Sequence, residues 1–215
     1  AQRSARAAVK MAVDMAHEGL ITRDEALLRV EPEHIYQLIL PRLDENSKRQ
    51  TREEGRLLAV GLGASPGGAT GKVVFEPDMA QNLSQQGDKI ILVRRETSPE
   101  DVHGMLAAVG ILTSRGGTTS HAAVVARGLG KPCVTGAEEI DVNPDEGFFR
   151  CGEVIVRSGD EISIDGATGE IFIGAISTIQ PRVSDETDMI ELLSWADTAR
   201  ALGVWANADD AKDVI

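Results

Sequence analysis

Apolar residues recur at helical spacing near both ends of the sequence, and polar residues fill the positions between them. The pattern predicts a helix over residues 4–18, followed by two short helices that begin near Thr22 and Pro32. A further helix is predicted from about residue 188 to 202, with a strand after it at residues 204–208. Both ends of the chain are therefore expected to be largely helical.

The middle of the sequence alternates between short apolar runs and helix-start signals. Residues 90–93 and 108–112 form apolar runs, which predict strands at residues 89–94 and 108–112 that are covered on both faces. Ser98 begins one predicted helix and His121 lies at the start of another, before a third strand at residues 133–135. This order predicts an α/β fold with parallel strands and right-handed crossovers, whose reactive loops lie beyond the carboxyl ends of the strands.

Four other segments surround this alternating region. A glycine-rich run at residues 61–71 precedes a strand at 72–75 but has neither P-loop nor Rossmann spacing, so a tight turn is predicted. Residues 153–174 alternate as β-strands around an Asp-Gly turn. The charged segment 44–56 is expected to be a linker or a solvated helix, and residues 175–187 an irregular linker.

Composition excludes several classes of partner. The chain has 22 Lys and Arg against 34 Asp and Glu, a formal net charge of -12, which disfavours binding to nucleic acid or to an anionic membrane. No apolar run is long enough to cross a bilayer. Cys133 and Cys151 make neither a disulfide framework nor a metal set, and they fit a reducing, cytoplasmic environment. The four histidines show no metal-ligand spacing, so no metal site is predicted.

One stretch combines a glycine turn, hydroxyl residues and a histidine. Gly116 and Gly117 allow backbone conformations that other residues avoid, and Thr119 and Ser120 are suited to cap the helix that follows. Free amides at a helix start favour an anion, so His121 is predicted as a nucleophile beside a phosphate held by these four residues. On spacing alone, His121 fits a cap or a packing residue equally well.

The same stretch resembles a known family signature. The run Gly-Gly-Thr-Thr-Ser-His-Ala-Ala-Val-Val-Ala-Arg-Gly-Leu-Gly-Lys-Pro is similar to the phosphohistidine signature of pyruvate phosphate dikinases, phosphoenolpyruvate synthases and enzyme I of the sugar phosphotransferase system. Thr118 stands where many dikinases have Met. The segment at residues 96–105 resembles the dikinases specifically, and the helical block at the start resembles the end of their nucleotide-binding region.

The resemblance implies a domain organisation. Residues 1–56 would be a helical segment at the end of the nucleotide-binding region, residues 57–175 the phosphohistidine domain, and residues 176–215 a linker helix with the truncated start of a C-terminal (β/α) barrel. The expected fold is therefore α/β, a swivelling β/β/α phosphohistidine domain flanked by an N-terminal helical segment and a C-terminal helical linker. On this view the sequence is the central fragment of a longer protein.

The resemblance also implies an activity. His121 would be the catalytic residue that carries a phosphoryl group from ATP to pyruvate, in a Mg²⁺-dependent reaction that forms phosphoenolpyruvate. The expected partners are the ATP-binding and pyruvate-binding domains of the same polypeptide, in an enzyme that is a homo-oligomer. Thr119 matches the threonine that a regulatory kinase and phosphatase modify in some family members.

Two alternatives remain open at this point. The first is the equivalent domain of a phosphoenolpyruvate synthase or of enzyme I, and the second is a swivelling interaction module without chemistry. His103 is interpreted as structural, and Arg94 and Arg95 as solvated residues rather than phosphate ligands.

Overall fold

The computed structural model describes residues 5–203. The α-helices of these residues are α1 (Ala5–His17), α2 (Arg23–Leu28), α3 (Pro32–Ile39), α4 (Glu45–Glu53), α5 (Pro77–Gln85), α6 (Val102–Ala107), α7 (His121–Gly128) and α8 (Thr187–Ala199). The strands are β1 (Arg42–Leu43), β2 (Leu57–Val60), β3 (Leu62–Ser65), β4 (Gly68–Val74), β5 (Ile90–Arg94), β6 (Gly110–Thr113), β7 (Cys133–Thr135), β8 (Ile140–Asn143), β9 (Phe148–Cys151), β10 (Val154–Arg157), β11 (Glu161–Asp165), β12 (Glu170–Ile173) and β13 (Thr178–Ile179).

An eight-stranded sheet organises the middle of the chain, with the strand order β2-β12-β11-β4-β5-β6-β7-β3. The pairs β4–β5, β5–β6 and β6–β7 are parallel, as the strand and helix alternation predicts, and α5, α6 and α7 lie in the connections between them. Strands β2 and β3 are separated only by Gly61, yet they occupy the two ends of this order. The mixed α/β fold class expected from the sequence is confirmed.

Side chains of β5 alternate between the two faces of the sheet. Ile91 and Val93 pack in one apolar cluster with residues of the small sheet β8–β10, including Phe149. Ile90 and Leu92 pack in a second cluster beneath the connecting helices, with Ala122 and other small residues of α7. A strand covered on both faces was predicted from the unbroken apolar run, and the small side chains of α7 let its backbone lie close to the sheet.

Several elements were not predicted from the sequence. Helix α5 buries only Ala80, so its apolar pattern is weak. Strands β8 and β9 are four residues each, and the glycine-rich run expected as a turn contains strand β3 and the start of β4. These elements are too short for a periodic signal, and they form because the main sheet and its apolar clusters supply their partners.

The described chain divides into two compact units, residues 39–181 and residues 5–38 with 182–203. In the second unit, α1 and α2 pack against α8, where Trp195 makes an edge-on contact with His17 at 5.9 Å and lies 5.3 Å beneath the guanidinium of Arg23. These limits differ from the boundaries expected at residues 56 and 175. The strand predicted at residues 204–208, with the barrel start assigned to it, lies outside the described residues. Within residues 5–203, no helix combines the length and apolar character that crossing a membrane requires.

The charged segment 44–56 contains helix α4, which is fastened to the main sheet by buried charges. Lys48, whose side chain is 4% exposed, forms ion pairs with Asp165 and, at 2.8 Å, with Glu170. Glu170 also pairs with Arg52 and accepts a hydrogen bond from the Thr168 hydroxyl at 2.8 Å. We call these residues the Lys48 cluster, and it makes α4 part of the sheet's own unit rather than a solvated linker.

Burial and hydrogen bonding act in opposite directions on the pKa values in this cluster. Burial alone would lower the pKa of Lys48, but its hydrogen bonds with Asp165 and Glu170 raise that pKa above 10.5. Burial would raise the pKa of Glu170, but hydrogen bonds from Lys48, Arg52 and Thr168 lower it below 4.5. The ion pairs are therefore maintained over a wide range of pH.

Candidate functional site

The predicted site is the loop that joins β6 to α7 at the carboxyl end of the parallel strands. Its first residues are held by backbone bonds to the neighbouring strand: the Ser114 amide donates to the Arg94 carbonyl at 3.1 Å, and the Arg115 amide donates to the Arg95 carbonyl at 2.8 Å. The Thr113 hydroxyl donates to the Arg115 carbonyl at 2.7 Å. The loop therefore leaves the sheet in a fixed direction.

Gly116 is required by the backbone of this loop. Its φ is +102°, and a Cβ placed on it would lie 2.9 Å from the Cβ of Ser120. Its carbonyl is also crowded, because a Cβ on Gly136 would approach it to 2.6 Å. Gly117 differs, since its φ is not in the left-handed region and a Cβ there would have nothing within 4 Å. Only the first of the two glycines is conformationally constrained.

Ser120 caps helix α7. Its Oγ accepts from the Ala123 amide at 3.4 Å, and its own amide donates to the Gly117 carbonyl at 3.0 Å. The amides of Thr118, Thr119 and His121, in the same turn, have no hydrogen-bond acceptor among residues 5–203. Unpaired amides at the positive end of a helix are suited to bind an anion beside His121.

His121 is partly exposed and is oriented by a residue that the sequence did not single out. Its Nδ1 lies 3.0 Å from the Oγ1 of Thr97, in the loop after β5. Its Nε2 has no hydrogen-bond partner within the described part of the chain. One ring nitrogen is thus engaged and the other is available to a ligand.

Arg127, in the last turn of α7, connects the His121 loop to strand β3. Its Nη2 donates to the Thr118 carbonyl at 2.9 Å and its Nη1 donates to the Ala64 carbonyl on β3 at 2.8 Å. The two arms of the planar guanidinium therefore join the loop to an edge strand. Sequence analysis did not assign Arg127 a role, because its two acceptors are backbone carbonyls with no sequence signature.

Other candidates lie outside this constellation. Arg94 binds Asp101 and the Phe75 carbonyl, and Arg95 donates to the Val142 carbonyl at 2.7 Å, so both have partners within the protein rather than being simply solvated. His103 lies 2.9 Å from exposed Asp78. No cluster of three or more potential metal ligands occurs among residues 5–203.

Cys133 lies beneath the helix that carries His121, as a buried core residue. Burial raises the pKa of its thiol to about 12, and its Sγ is 4.0 Å from the Ala122 carbonyl. The thiol is therefore uncharged at neutral pH and is a poor nucleophile.

The sequence is similar to known proteins along its whole length. Residues 86–169 match the family described as "PEP-utilising enzyme, mobile domain". A protein of Rhizobium meliloti named "Pyruvate, phosphate dikinase" is 47% identical over 212 residues, which are 99% of this chain and 23% of that protein. A protein of Mesembryanthemum crystallinum named "Pyruvate, phosphate dikinase, chloroplastic" is 45% identical over 214 residues, covering 100% of this chain and 22% of that protein.

The chain thus spans less than a quarter of the length of these relatives. A solution structure of an enzyme I protein is 26% identical and covers 53% of this chain and 40% of its own, with a TM-score of 0.31, and no inference is drawn from that superposition.

Proposed function

Residues 86–169 belong to the mobile-domain family of PEP-utilising enzymes, and from this premise we propose that the chain is the phosphohistidine carrier of a pyruvate phosphate dikinase. The proposal assigns His121 as the catalytic residue. It is supported by similarity along the whole chain to proteins with that name, and by a histidine that stands at a helix start with one nitrogen free. The full reaction converts ATP, phosphate and pyruvate to AMP, diphosphate and phosphoenolpyruvate.

The carrier role consists of three transfers. The Nε2 lone pair of His121 attacks the β-phosphorus of ATP, and AMP leaves with the bridging oxygen. Inorganic phosphate then takes the outer phosphoryl group and leaves as diphosphate. The enolate oxygen of pyruvate finally takes the remaining phosphoryl group, which returns the lone pair to Nε2. Each step breaks one bond to phosphorus and forms another, so no redox partner is needed.

Residues of this chain prepare His121 for these transfers. In this proposal Thr97 Oγ1, which lies 3.0 Å from Nδ1, accepts from Nδ1–H and so leaves the lone pair on Nε2. The amides of Thr118, Thr119 and His121 stabilise the oxygens of the transferred group, and Ser120 and Gly116 fix the turn that presents them. The observation that carries the proposal is the 3.0 Å contact between Thr97 and His121 beside these unpaired amides.

Metal and location complete the proposal. The whole enzyme uses Mg²⁺, which neutralises nucleotide phosphates, and no step is assigned to the ion through the described residues. The chain acts in the cytoplasm, in agreement with its reduced cysteines.

The partners are the ATP-binding and pyruvate-binding domains of the same polypeptide, in a homo-oligomeric enzyme. The carrier moves between them about the connections at the limits of the unit 39–181, near residues 39 and 181. This places the hinges outside the segment 44–56, because the Lys48 cluster fastens α4 to the sheet.

Thr119 is the proposed regulatory site. Its side chain is exposed and it lies two positions before His121, where a regulatory kinase and phosphatase could act on it. A phosphoryl group there would add about two negative charges beside the nucleophile, and would repel incoming phosphate.

Labelled nucleotide tests the proposal directly. This chain is mixed with the separately produced ATP-binding region of the Rhizobium meliloti relative and with ATP labelled in its β-phosphate. We expect acid-labile label on the wild-type chain and on His103→Ala, and none on His121→Ala. Label that persists in His121→Ala contradicts the assignment of the nucleophile.

The same mixture separates the alternatives. Label in the γ-phosphate should leave the protein as diphosphate only when inorganic phosphate is added, because the dikinase reaction consumes phosphate. Release without added phosphate would favour a phosphoenolpyruvate synthase, and no labelling with intact partner binding would indicate an inert interaction module.

A further inference from the structure

Asp101 is a buried carboxylate whose two oxygens both have partners. Its side chain is 5% exposed, in the short helical turn at Pro99–Asp101 that precedes α6. Oδ2 accepts from the Ser98 amide at 2.8 Å and from the Ser98 hydroxyl at 3.3 Å, and Oδ1 faces the guanidinium of Arg94 at 3.3 Å. A buried charge is retained only when it is paired in this way, so Asp101 and Arg94 fix each other.

Arg94 connects this carboxylate to the sheet. It is the last residue of β5, and its second arm donates to the Phe75 carbonyl at 2.9 Å, directly after β4. Its own carbonyl accepts from the Ser114 amide at the start of the His121 loop. The ion pair between Arg94 and Asp101 therefore joins the two ends of the turn at residues 94–101. Through Arg94 the pair is also connected to strands β4 and β5.

Thr97 lies inside this closed turn, next to Ser98. Its Oγ1 can select either tautomer of His121: accepting from Nδ1–H leaves the lone pair on Nε2, whereas donating to Nδ1 puts a proton on Nε2 and removes the nucleophile. Which tautomer is favoured depends on how well the turn places the Thr97 oxygen to accept from Nδ1–H. The Asp101 bond to the adjacent Ser98 amide restrains the backbone of this turn.

We propose that Asp101, paired with Arg94, is a positioning residue that acts through Thr97 to hold His121 in the Nδ1–H tautomer. This inference rests on the proposed role of His121 as phosphoryl acceptor and adds the residues that make it nucleophilic. A capping carboxylate with no further role would serve helix α6 only, and would leave the tautomer unchanged when removed.

Two-bond ¹H–¹⁵N spectra of the ring nitrogens measure the tautomer without any phosphoryl donor. We expect mostly Nδ1–H for His121 in the wild type and in Thr97→Ser, which retains the hydroxyl. Asp101→Asn offers a donor where the site needs an acceptor, so it and Thr97→Val should shift the ring toward Nε2–H. Arg94→Lys should cause a smaller tautomer shift, because it keeps a cation but loses one of the two donor arms. Circular dichroism checks the fold of each variant.

Phosphorylation of the same chain by potassium phosphoramidate measures the reactivity of His121, with exposed His17 and His103 as internal standards. The rate at His121 should fall about tenfold in Asp101→Asn and in Thr97→Val, as is usual when an outer partner of a histidine is removed. Ser98→Ala, which loses only the 3.3 Å contact, and Asp78→Asn, beside His103, should stay within about twofold of the wild type.

The two proposals fail in different ways. A folded Asp101→Asn variant with the wild-type tautomer and rate would overturn the positioning role alone. A wild-type His121 that reacts no faster than the exposed standards, and takes no label from ATP, would overturn the proposed function. A tautomer shift with an unchanged rate would also contradict this inference, because the lone pair would then not limit reactivity.

Discussion

The Lys48 cluster and the His121 site are both polar regions that join a helix to strand ends of the same sheet. They differ in how their polar groups are paired. The Lys48 cluster buries charges and uses every one of them in an internal pair. The His121 site is partly exposed, and within residues 5–203 its ring has no ion-pair partner, its Nε2 has no hydrogen-bond partner and several nearby amides have no acceptor. Polar groups that all have partners hold the structure together, whereas polar groups without internal partners remain open to a ligand.

This difference separates stability from reactivity. Removing one partner from a buried ion pair leaves a charge that nothing compensates, so the cost appears in folding. Removing a neutral, partly exposed hydrogen bond has a small effect on folding, and its cost appears in the orientation of the reacting atom. The predictions below test whether the two regions can be disrupted independently.

Lys48→Met should produce the largest change in stability. Asp165 and Glu170 would stay buried without their common cation, so we expect the free energy of unfolding to fall by about 3–5 kcal/mol. Urea unfolding followed by far-ultraviolet circular dichroism measures this loss. Reaction of His121 with phosphoramidate, per folded molecule, should be unchanged.

A surface ion pair of the same unit supplies the control. Lys72 lies 2.8 Å from Asp88 with its side chain 43% exposed, so Lys72→Met should cost below about 1 kcal/mol. Equal losses in the two variants, or a folded Lys48→Met protein with an unreactive His121, would remove the distinction between the regions.

Gly116→Ala should lower both the stability of the protein and the reactivity of His121, because the backbone conformation at Gly116 is strained for any residue with a side chain. A side chain at φ +102° that also approaches the Ser120 Cβ to 2.9 Å should cost about 1–3 kcal/mol and displace the amides near His121. Phosphorylation should then fall about tenfold. Unfolding curves and the phosphoramidate rate measure the two effects.

Gly117→Ala is the matched substitution at the neighbouring position. It keeps the amide and meets no atom within 4 Å, so stability should change by no more than about 0.5 kcal/mol. A Gly117→Ala variant that is as impaired as Gly116→Ala would show that the loop depends on glycine for a reason other than backbone strain.

Acid should weaken the Lys48 cluster. The pKa of Glu170 is lower in the folded state than the ordinary 4.5, so its contribution is present above pH 4.5 and is lost as the pH falls through the folded value. Glu170→Gln should be less stable at neutral pH, and its difference from the wild type should narrow below pH 4.5. Unfolding midpoints over a pH series measure this.

Thr97→Val completes the pH comparison. It leaves every carboxylate of the Lys48 cluster in place, so below pH 4.5 its stability should run parallel to that of the wild type. If the stability of Glu170→Gln also ran parallel to that of the wild type over the pH series, ionisation of Glu170 would contribute no pH-dependent stability.

The sequence predicted the regular elements better than the contacts between them. The helix start near Thr22 and the apolar run at residues 90–93 are local signals, and both are confirmed. The segment 44–56 was expected as a linker or solvated helix because its charges are numerous, yet Lys48 is buried by partners 117 and more positions away. A charge can be assigned to the interior only when its partner is known.

The same limit applies at the candidate site. The glycine turn and His121 are contiguous, so the motif could be read directly from the sequence. Thr97 lies 24 positions earlier, so no local pattern links it to His121, and the contact follows only once β5 and β6 lie side by side. Arg127 lies within the same motif as His121, but its acceptors are backbone carbonyls, and the one on β3 comes near only once β3 pairs with β7.

Gly61 has a consequence for how other proteins can bind this one. It connects the first and last strands of the main sheet, and a Cβ there would lie 2.7 Å from Val134, so those two strands converge at a single residue. Each of these end strands is only four residues long, so the sheet offers a foreign strand only a short edge to extend. For the carrier role proposed above, recognition by a partner would therefore fall to side chains and to helix α7 rather than to an added strand.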